Sequence, residues 1–397
     1  MRERSEHIAH LLTLEQGKPL AEARMECALA ADLIKWYAEE ARRTYGRIIP
    51  ARAAGSRMDV LKAPVGPVAA FSPWNFPLVL SARKLGGALA AGCSIVLKAA
   101  EETPASVAAM VECLAQELPA GTLQLVYGVP AEVSKALIAS PIIRKITFTG
   151  SVPVGRHLAQ MAGEHLKPIT LELGGHAPVI VCGDADLDRA VPLLVGHKYR
   201  NAGQACLAPT RFFVARRLYG DFLDAFATGA RKLHVGNGMD EASQMGPVAS
   251  ARRQAAVLDL VDRTVAQGAL LLAGEKPDWG FFLPPMVLAG VDDLAPAMQE
   301  EPFGPVACVT PFDTLEEAIG RANANSYGLA GYLFTDSASS IHAVSQGLEL
   351  GCLAVNGIGV SVPEAPFGGV KDSGYGSESG MEGMDAFIDS KFLHYTA

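Results

Sequence analysis

Lys145-Ile-Thr-Phe-Thr-Gly-Ser-Val-Pro-Val-Gly155 is an apolar, β-prone run that stops at a glycine and gives way to Ser151, with Pro153 two positions on. Branched and aromatic residues favour an extended strand, Gly150 permits a sharp turn, and proline in the first turn suits the start of a helix. A helix that opens at the end of a buried strand offers unpaired N–H groups and a partial positive charge, which is a seat for a phosphate group. The segment is not a G-x-G-x-x-G fingerprint, so alone it predicts a strand–turn–helix unit and is weak evidence for a particular ligand.

Outward from this unit the same alternation repeats. Strand-like runs over 68–71, 94–97, 123–126 and 146–149 are separated by helical patterns over 78–90, 104–116 and 131–139. Strand, helix and strand in succession imply right-handed crossovers and a buried parallel sheet. Upstream, the pattern is helical to about residue 43; residues 45–67, rich in Pro and Gly, read as a hairpin leading into a strand. Downstream, a second α/β block over 174–366 carries expected strands at 177–181, 210–214, 286–288, 306–311 and 351–355. Gly174-Gly175 and Gly368-Gly369 are where the chain is expected to cross between domains.

Composition narrows the class. With 397 residues, 49% hydrophobic and 19% charged, the chain reads as a globular α/β protein large enough for two domains. A net charge of -8, from 34 Lys+Arg and 42 Asp+Glu, holds no attraction for phosphate backbones or anionic lipid, so neither nucleic acid nor membrane is an expected partner. The longest apolar stretch, 85–97, is interrupted by glycine and falls short of the roughly 20 residues that span a bilayer. The mixed-charge N-terminus lacks the apolar core of a signal peptide, and seven cysteines without a C-x-x-C fit reduced thiols, so a cytoplasmic location is expected.

Three residues suggest chemistry. Cys206 ends the small-residue loop Tyr199-Arg-Asn-Ala-Gly-Gln-Ala-Cys206; a thiol is already a good nucleophile once a base or donor is positioned beside it. Glu172 lies inside the apolar run Thr170-Leu-Glu-Leu-Gly-Gly175, where burial would raise its pKa and suit it to activate water. Asn75, in Pro73-Trp-Asn-Phe-Pro77, is a rigidly placed amide donor of the kind a developing oxyanion requires. Taken singly, these also read as a packing cysteine, a capping glutamate and a turn asparagine. The nine histidines form no H-E-x-x-H and pair with no cysteine at ligand spacing, so no metal is expected, and G-x-S-x-G and P-loop motifs are absent.

Together, Pro73-Trp-Asn-Phe-Pro77, Phe148-Thr-Gly-Ser151, Leu171-Glu-Leu-Gly-Gly175, Gly203-Gln-Ala-Cys206, Glu300-Glu-Pro-Phe-Gly-Pro305 and Pro366-Phe-Gly-Gly369 resemble the aldehyde dehydrogenase superfamily, in that family's order, over essentially the whole chain. The resemblance implies an α/β fold: a Rossmann-like parallel-sheet cofactor domain (1–43 and 65–173, with 373–387), an α/β catalytic domain (174–372), and a small β oligomerisation element (44–64 and 388–397) that makes a homodimer or homotetramer. It implies Cys206 as nucleophile, Glu172 as activator of the hydrolytic water, Asn75 with the Cys206 N–H as oxyanion hole, and Lys84 and Glu378 as a proton relay. For the cofactor it implies Lys98 and Glu101 at the adenosine ribose, Gly150 and Ser151 at the pyrophosphate, Glu301 at the nicotinamide ribose, and Trp74 and Phe303 around the pocket. Glu101 would repel a 2′-phosphate, so NAD is expected over NADP.

Arg83, Arg200 and Ser361, beside Phe367, match places where succinate-semialdehyde dehydrogenases bind a distal carboxylate, and two guanidinium groups suit an anion. The run Lys371-Asp-Ser-Gly-Tyr-Gly-Ser-Glu378 is similar to relatives acting on 2-oxoglutarate semialdehyde. A carboxylate-bearing semialdehyde is therefore the expected substrate. Members of the superfamily begin well before the helix that opens this chain, so an N-terminal truncation of several tens of residues is expected. Two other functions compete: an inactive truncated homologue serving as a binding or assembly subunit, and a cofactor-independent thiol hydrolase. Intact Asn75, Glu172 and Cys206 argue against the first; the second lacks a histidine partner and leaves Lys98, Glu101 and Glu301 idle.

Overall fold

Two helices, Ser5–Gln16 and Leu20–Glu40, open the chain, and they part at Gly17, whose φ of 94° closes the first helix in the left-handed conformation. The computed structural model describes residues 1–396, so only Ala397 of the expected tail strand over 388–397 lies outside the described residues. Beyond the helices, Val68–Phe71, Ile95–Lys98, Leu123–Val126, Lys145–Thr149 and Ile169–Glu172 form the parallel part of a six-stranded sheet. Their spatial order is Leu123–Val126, Ile95–Lys98, Val68–Phe71, Lys145–Thr149, Ile169–Glu172, closed by the short antiparallel strand Gly374–Tyr375. The chain first winds outward from Val68–Phe71 in one direction and then restarts on its other side with Lys145–Thr149. That reversal opens a crevice beyond the carboxyl ends of these two strands, the place where open α/β sheets bind ligands. The residues that follow them are Ser72-Pro73-Trp74-Asn75 and Gly150-Ser151.

The chain leaves this sheet after Glu172 and enters a seven-stranded sheet at Ala177. There the order is Leu270–Ala273, Met286–Ala289, Val306–Phe312, Pro209–Ala215, Ala177–Val181, Ala330–Phe334, Cys352–Val355, parallel except for the first pair. The expected strands recur here within two residues at either end. Sequence reading missed Leu270–Ala273 and Ala330–Phe334. The latter is buried at every position, so it lacks alternation, and Gly331 makes it resemble a turn. Arg47–Ile49 and Ser56–Pro64 form the expected hairpin, and Ile388–Thr396 adds to it antiparallel as a third strand.

The second sheet is held by an aromatic cluster. Phe212 lies 4.9 Å from Phe226, which stacks on Phe222 at 5.5 Å, and all three are fully buried. Deleting one ring here removes both burial area and close contacts that the surrounding sheet cannot refill. Phe226→Ala is expected to destabilise the protein by about 4 kcal/mol, read as a fall in the urea midpoint, whereas Leu258→Ala at an exposed helix position should shift it by less than about 0.5 kcal/mol.

Candidate active site

The crevice at the strand reversal is a cleft of about 480 Å³, bounded by Trp74, Gly150, Ser151, Gly174, Glu301 and Phe303 among others. Gly150 leads into the helix Val152–Glu164, whose first turn receives no hydrogen bond from the Ser151 side chain. Its N–H groups therefore remain available at the cleft. A methyl group at Gly150 would strike the Phe148 ring, and one at Gly174 would strike the Glu301 carboxylate. Backbone thus approaches the cleft where side chains cannot. Trp74 meets Phe303 edge to face at 5.7 Å, with Phe303 held at φ 41°.

Glu301 accepts from the Gly175 N–H at 3.0 Å, and burial pushes its carboxyl up to about 7 against the pull of that hydrogen bond, Arg253 and Lys198. Lys98 and Glu101 lie at the carboxyl end of the neighbouring strand, outside the cleft's lining, and pair with each other. These features fit a dinucleotide: crevice, close backbone, free helix N-terminus and a carboxylate for ribose hydroxyls. Sequence reasoning missed Glu102, Ser250, Arg252 and Arg253, which also line the cleft; a helix start rich in arginine carries no motif that would have marked them.

Cys206 follows an unusual turn. The helix Leu187–Tyr199 runs into Asn201, Ala202 and Gly203 with φ of 51°, 53° and 70°, three consecutive left-handed residues. For Asn201 and Ala202 this costs on the order of 1 kcal/mol each. Gly203 is required, since a Cβ there would collide with the Gly304 carbonyl. Hydrogen bonds hold the turn: the Asn201 N–H donates to Glu22 Oε2 at 2.9 Å, Gln204 Nε2 to the Asn201 carbonyl at 2.9 Å, and the Ala249 N–H to Gln204 Oε1 at 2.8 Å.

Asn75 is fixed at both ends. Its carbonyl accepts from Lys18 Nζ at 2.8 Å and Asn201 Nδ2 at 2.9 Å, and its own Nδ2 donates to the Gln204 carbonyl at 3.1 Å. That leaves the second amide proton free for another acceptor.

The Cys206 thiol is pushed far above its ordinary range, by burial first and then by Glu172 and Glu301, with Arg83 opposing. It is therefore a thiol at neutral pH and needs a base to become a nucleophile. Glu172 is buried, neither of its carboxyl oxygens has a partner, and burial, reinforced by Glu378, holds it well above the usual carboxylate range. It sits behind the cleft wall, flanked by Leu173 and Gly174. Behind it, Lys84 pairs with Glu378 and donates to Thr149 Oγ1 at 2.7 Å. Lys84 and Glu378 line neither cavity, so they can reach the thiol only through intermediaries such as Glu172.

A second cavity, of about 130 Å³, meets the first at Asn75 and Cys206, the residues common to both. Its walls are Phe76, Val79, Leu80, Leu207, Ile358 and Phe367, and Arg83, Arg200 and Ser361 lie among them. Arg83 donates to Ser361 Oγ at 2.5 Å and stacks 4.1 Å over Phe367; Arg200 lies 4.9 Å over Phe76. The Nε of each is buried without a partner, and among the described residues neither forms an ion pair. His197 adds no charge, because burial, then Arg200 and Lys198, hold it down to about 3. Glu22 lies within electrostatic reach of Arg200 and Glu172 within reach of Arg83, but with no direct partner in the apolar cavity both guanidinium groups are suited to an anion. Among the described residues, no group of three His, Cys, Asp or Glu side chains is arranged to hold a metal ion, and no helix is long and apolar enough to cross a membrane.

A thiol and an amide donor, set where a dinucleotide-sized cleft meets a smaller arginine-bearing cavity, suit an oxidoreductase that takes a dinucleotide cofactor. The chain belongs to the aldehyde dehydrogenase family, whose model matches residues 1–393, and is an oxidoreductase acting on aldehydes with NAD(P). It is 75% identical over 397 residues to 4-(hydroxymethyl)benzenesulfonate dehydrogenase TsaD1 of Comamonas testosteroni, covering 100% of this chain and 83% of that one. The crystal structure of succinate-semialdehyde dehydrogenase from Burkholderia pseudomallei superposes with a TM-score of 0.96 at 42% identity, covering 99% of this chain and 82% of that one. Betaine aldehyde dehydrogenase from Staphylococcus aureus in complex with NAD+ has a TM-score of 0.96 at 34% identity, covering 99% and 79%.

Cys206 is half-buried at the junction of the two cavities with its thiol held above the ordinary range, which leads to a direct expectation. Iodoacetamide labelling of the free protein, followed by mass spectrometry, should accelerate about tenfold per pH unit between pH 7 and 9 without a plateau, while the buried Cys27, Cys93, Cys182 and Cys308 stay unlabelled.

Proposed function

We propose that the protein oxidises an aldehyde bearing a distal anionic group to the carboxylic acid, with NAD, through a thioester on Cys206. The observation that carries this reading is that Asn75 and Cys206 alone are common to the two cavities, one fitted to a dinucleotide and the other ending in Arg83 and Arg200. Sulfur bonds the aldehyde carbon as the thiol proton passes to a water molecule in the cleft, and the resulting oxyanion accepts hydrogen bonds from the second Asn75 amide N–H and the Cys206 N–H. A nicotinamide dinucleotide held in the larger cleft would supply the hydride acceptor as the oxyanion collapses to the thioester. Glu172, once its side chain swings from behind Leu173 and Gly174, takes a proton from water attacking the thioester, and Lys84 and Glu378 pass that proton inward. Gly150, Ser151, Trp74, Glu301 and Phe303 hold the cofactor, with Lys98 and Glu101 at its adenosine end.

For the substrate, an arylsulfonate with a para aldehyde is favoured. Val79, Leu80, Leu207 and Ile358 give the cavity an apolar lining for a ring, and a sulfonate's three oxygens offer acceptors to Arg83, Arg200 and Ser361. The name of the relative at 75% identity supports the sulfonate. A hydroxymethyl carbon offers a thiol no electrophile, so the aldehyde is the oxidation level this site would use. The second reading, a four- or five-carbon semialdehyde acid such as succinate or 2-oxoglutarate semialdehyde, is supported by the same arginines and by the succinate-semialdehyde relative. The preference for NAD rests on Glu101, which engages Lys98, the cation a 2′-phosphate would need. Free thiols support a cytoplasmic setting. Ile48, Leu61, Phe392 and Tyr395, exposed on the three-stranded sheet, support a homodimer or homotetramer.

Turnover of 4-formylbenzenesulfonate, succinate semialdehyde, 2-oxoglutarate semialdehyde, butanal and benzaldehyde, followed by NADH absorbance, tests this directly. The sulfonate should be used best and the neutral aldehydes worst, and Cys206→Ala should abolish all turnover; substrate-independent rates, or activity retained without the thiol, would overturn the reading. Arg200→Ala should lower kcat/KM for the sulfonate about 10- to 100-fold more than for benzaldehyde. NAD should exceed NADP in kcat/KM by about tenfold or more, and Glu101→Gln should narrow the gap.

A further inference from the structure

Lys18, in the turn between the first two helices, and Glu22 and Glu26, in the second helix, are three titratable side chains with almost no solvent contact. Lys18 is 1% exposed, Glu22 8% and Glu26 0%. Lys18 Nζ donates to Glu26 Oε2 at 2.5 Å and to the Asn75 carbonyl at 2.8 Å, and it lies 4.0 Å over the Phe76 ring. The other Glu26 oxygen accepts from the N–H groups of Leu78 and Val79 at 2.9 and 3.4 Å, in the first turn of the helix that follows Asn75. Glu22, one helical turn before Glu26, accepts from the N–H of left-handed Asn201 at 2.9 Å. Asn201 in turn donates through Nδ2 to the Asn75 carbonyl.

Packing alone does not account for this arrangement. A buried lysine with two buried carboxylates is generally no more stabilising than apolar side chains of similar volume. Here each charge ends on backbone at one of two places: the segment that aims the Asn75 amide, or the strained turn that presents Cys206. The first sheet supplies Asn75 and the second supplies the turn, and the helix Leu20–Glu40 grips both.

We infer that Lys18 and Glu22 are positioning residues for thiol addition: Lys18 fixes Asn75, and Glu22 fixes the turn before Cys206, so that the two oxyanion donors keep their spacing. Neither touches the reacting atoms. The inference rests on the proposed roles of Asn75 and Cys206. A shift of about 1 Å in such donors can cost on the order of 100-fold in rate, whereas cofactor affinity depends on other groups.

The test is a double-mutant cycle between Glu22 and Asn75, with kcat measured at saturating NAD and 4-formylbenzenesulfonate and NAD affinity measured separately by quenching of tryptophan fluorescence. Glu22→Leu should lower kcat about tenfold or more in the Asn75 protein but less than about threefold when Asn75→Ala has already removed the donor. Its NAD dissociation constant should change less than about twofold. Glu22→Gln, which keeps an acceptor for Asn201, should restore kcat to within about threefold of the parent. Where Glu22→Leu yields too little folded protein by circular dichroism, Glu22→Ala replaces it in the cycle. Equal losses with and without Asn75, or a Gln variant as impaired as the Leu variant, would overturn the positioning role. If Asn75→Ala itself leaves kcat unchanged, the failure lies in the proposed oxyanion role and not in Glu22.

Discussion

The Asn75 carbonyl accepting from both Lys18 and Asn201 is the interaction on which the site depends. Asn75 leaves the carboxyl end of a strand in one sheet, and Asn201 precedes the first residues of a strand in the other. Neither sheet alone creates a place where a thiol, an amide donor and a cofactor crevice converge. The shared carbonyl sets the distance between the two sheets at the point of chemistry, and the left-handed run Asn201–Gly203 is the cost of reaching it. Such a turn persists only where its surroundings over-determine it, and the bonds from Glu22, Gln204 and Asn75 do so.

Around that junction the charges are sorted. Acids gather on the cofactor side and behind it: Glu172 and Glu301 both raise the Cys206 thiol, and both are held above the ordinary carboxylate range by burial. Cations gather in the smaller cavity, where Arg83 opposes that rise from the far side of the sulfur. An anionic substrate entering between the guanidinium groups weakens the help that Arg83 gives to a thiolate, so negative charge there makes the thiol harder to ionise. The raised carboxyl of Glu172 becomes a stronger base by the same burial that raises the thiol.

Much of this was legible in the sequence, for physical reasons. Strands such as Lys145–Thr149 and Ile95–Lys98 are buried on both faces and punctuated by glycine or proline, so composition alone locates them, and their alternation with helices dictates a parallel sheet. Ala330–Phe334 escaped because burial on both sides removes the alternation and Gly331 imitates a turn. Arg83, Arg200, Ser361 and Phe367, implied by resemblance, line one cavity, while Lys84 and Glu378 lie behind the site. Lys18, Glu22 and Glu26 were hidden for a different reason: in a helix of otherwise mixed polarity, charged residues read as a solvated face, and only tertiary contacts reveal that this face turns inward.

The substrate cavity illustrates what family membership leaves open. Under the proposed reading arginine and serine at its end would seat an anion, but a carboxylate and a sulfonate would both satisfy them, and relatives are named for each chemistry. Discrimination then falls to the walls. A flexible semialdehyde chain would lose rotational freedom on entering the apolar cavity, whereas a flat ring enters already rigid. With the anion seated at the arginines, a rigid ring also fixes where its para carbon must lie, and only a carbon delivered to the junction of the two cavities can meet sulfur, the Asn75 amide and the hydride acceptor together. Selectivity in such a site comes from the spacing between the anion seat and the thiol as much as from charge.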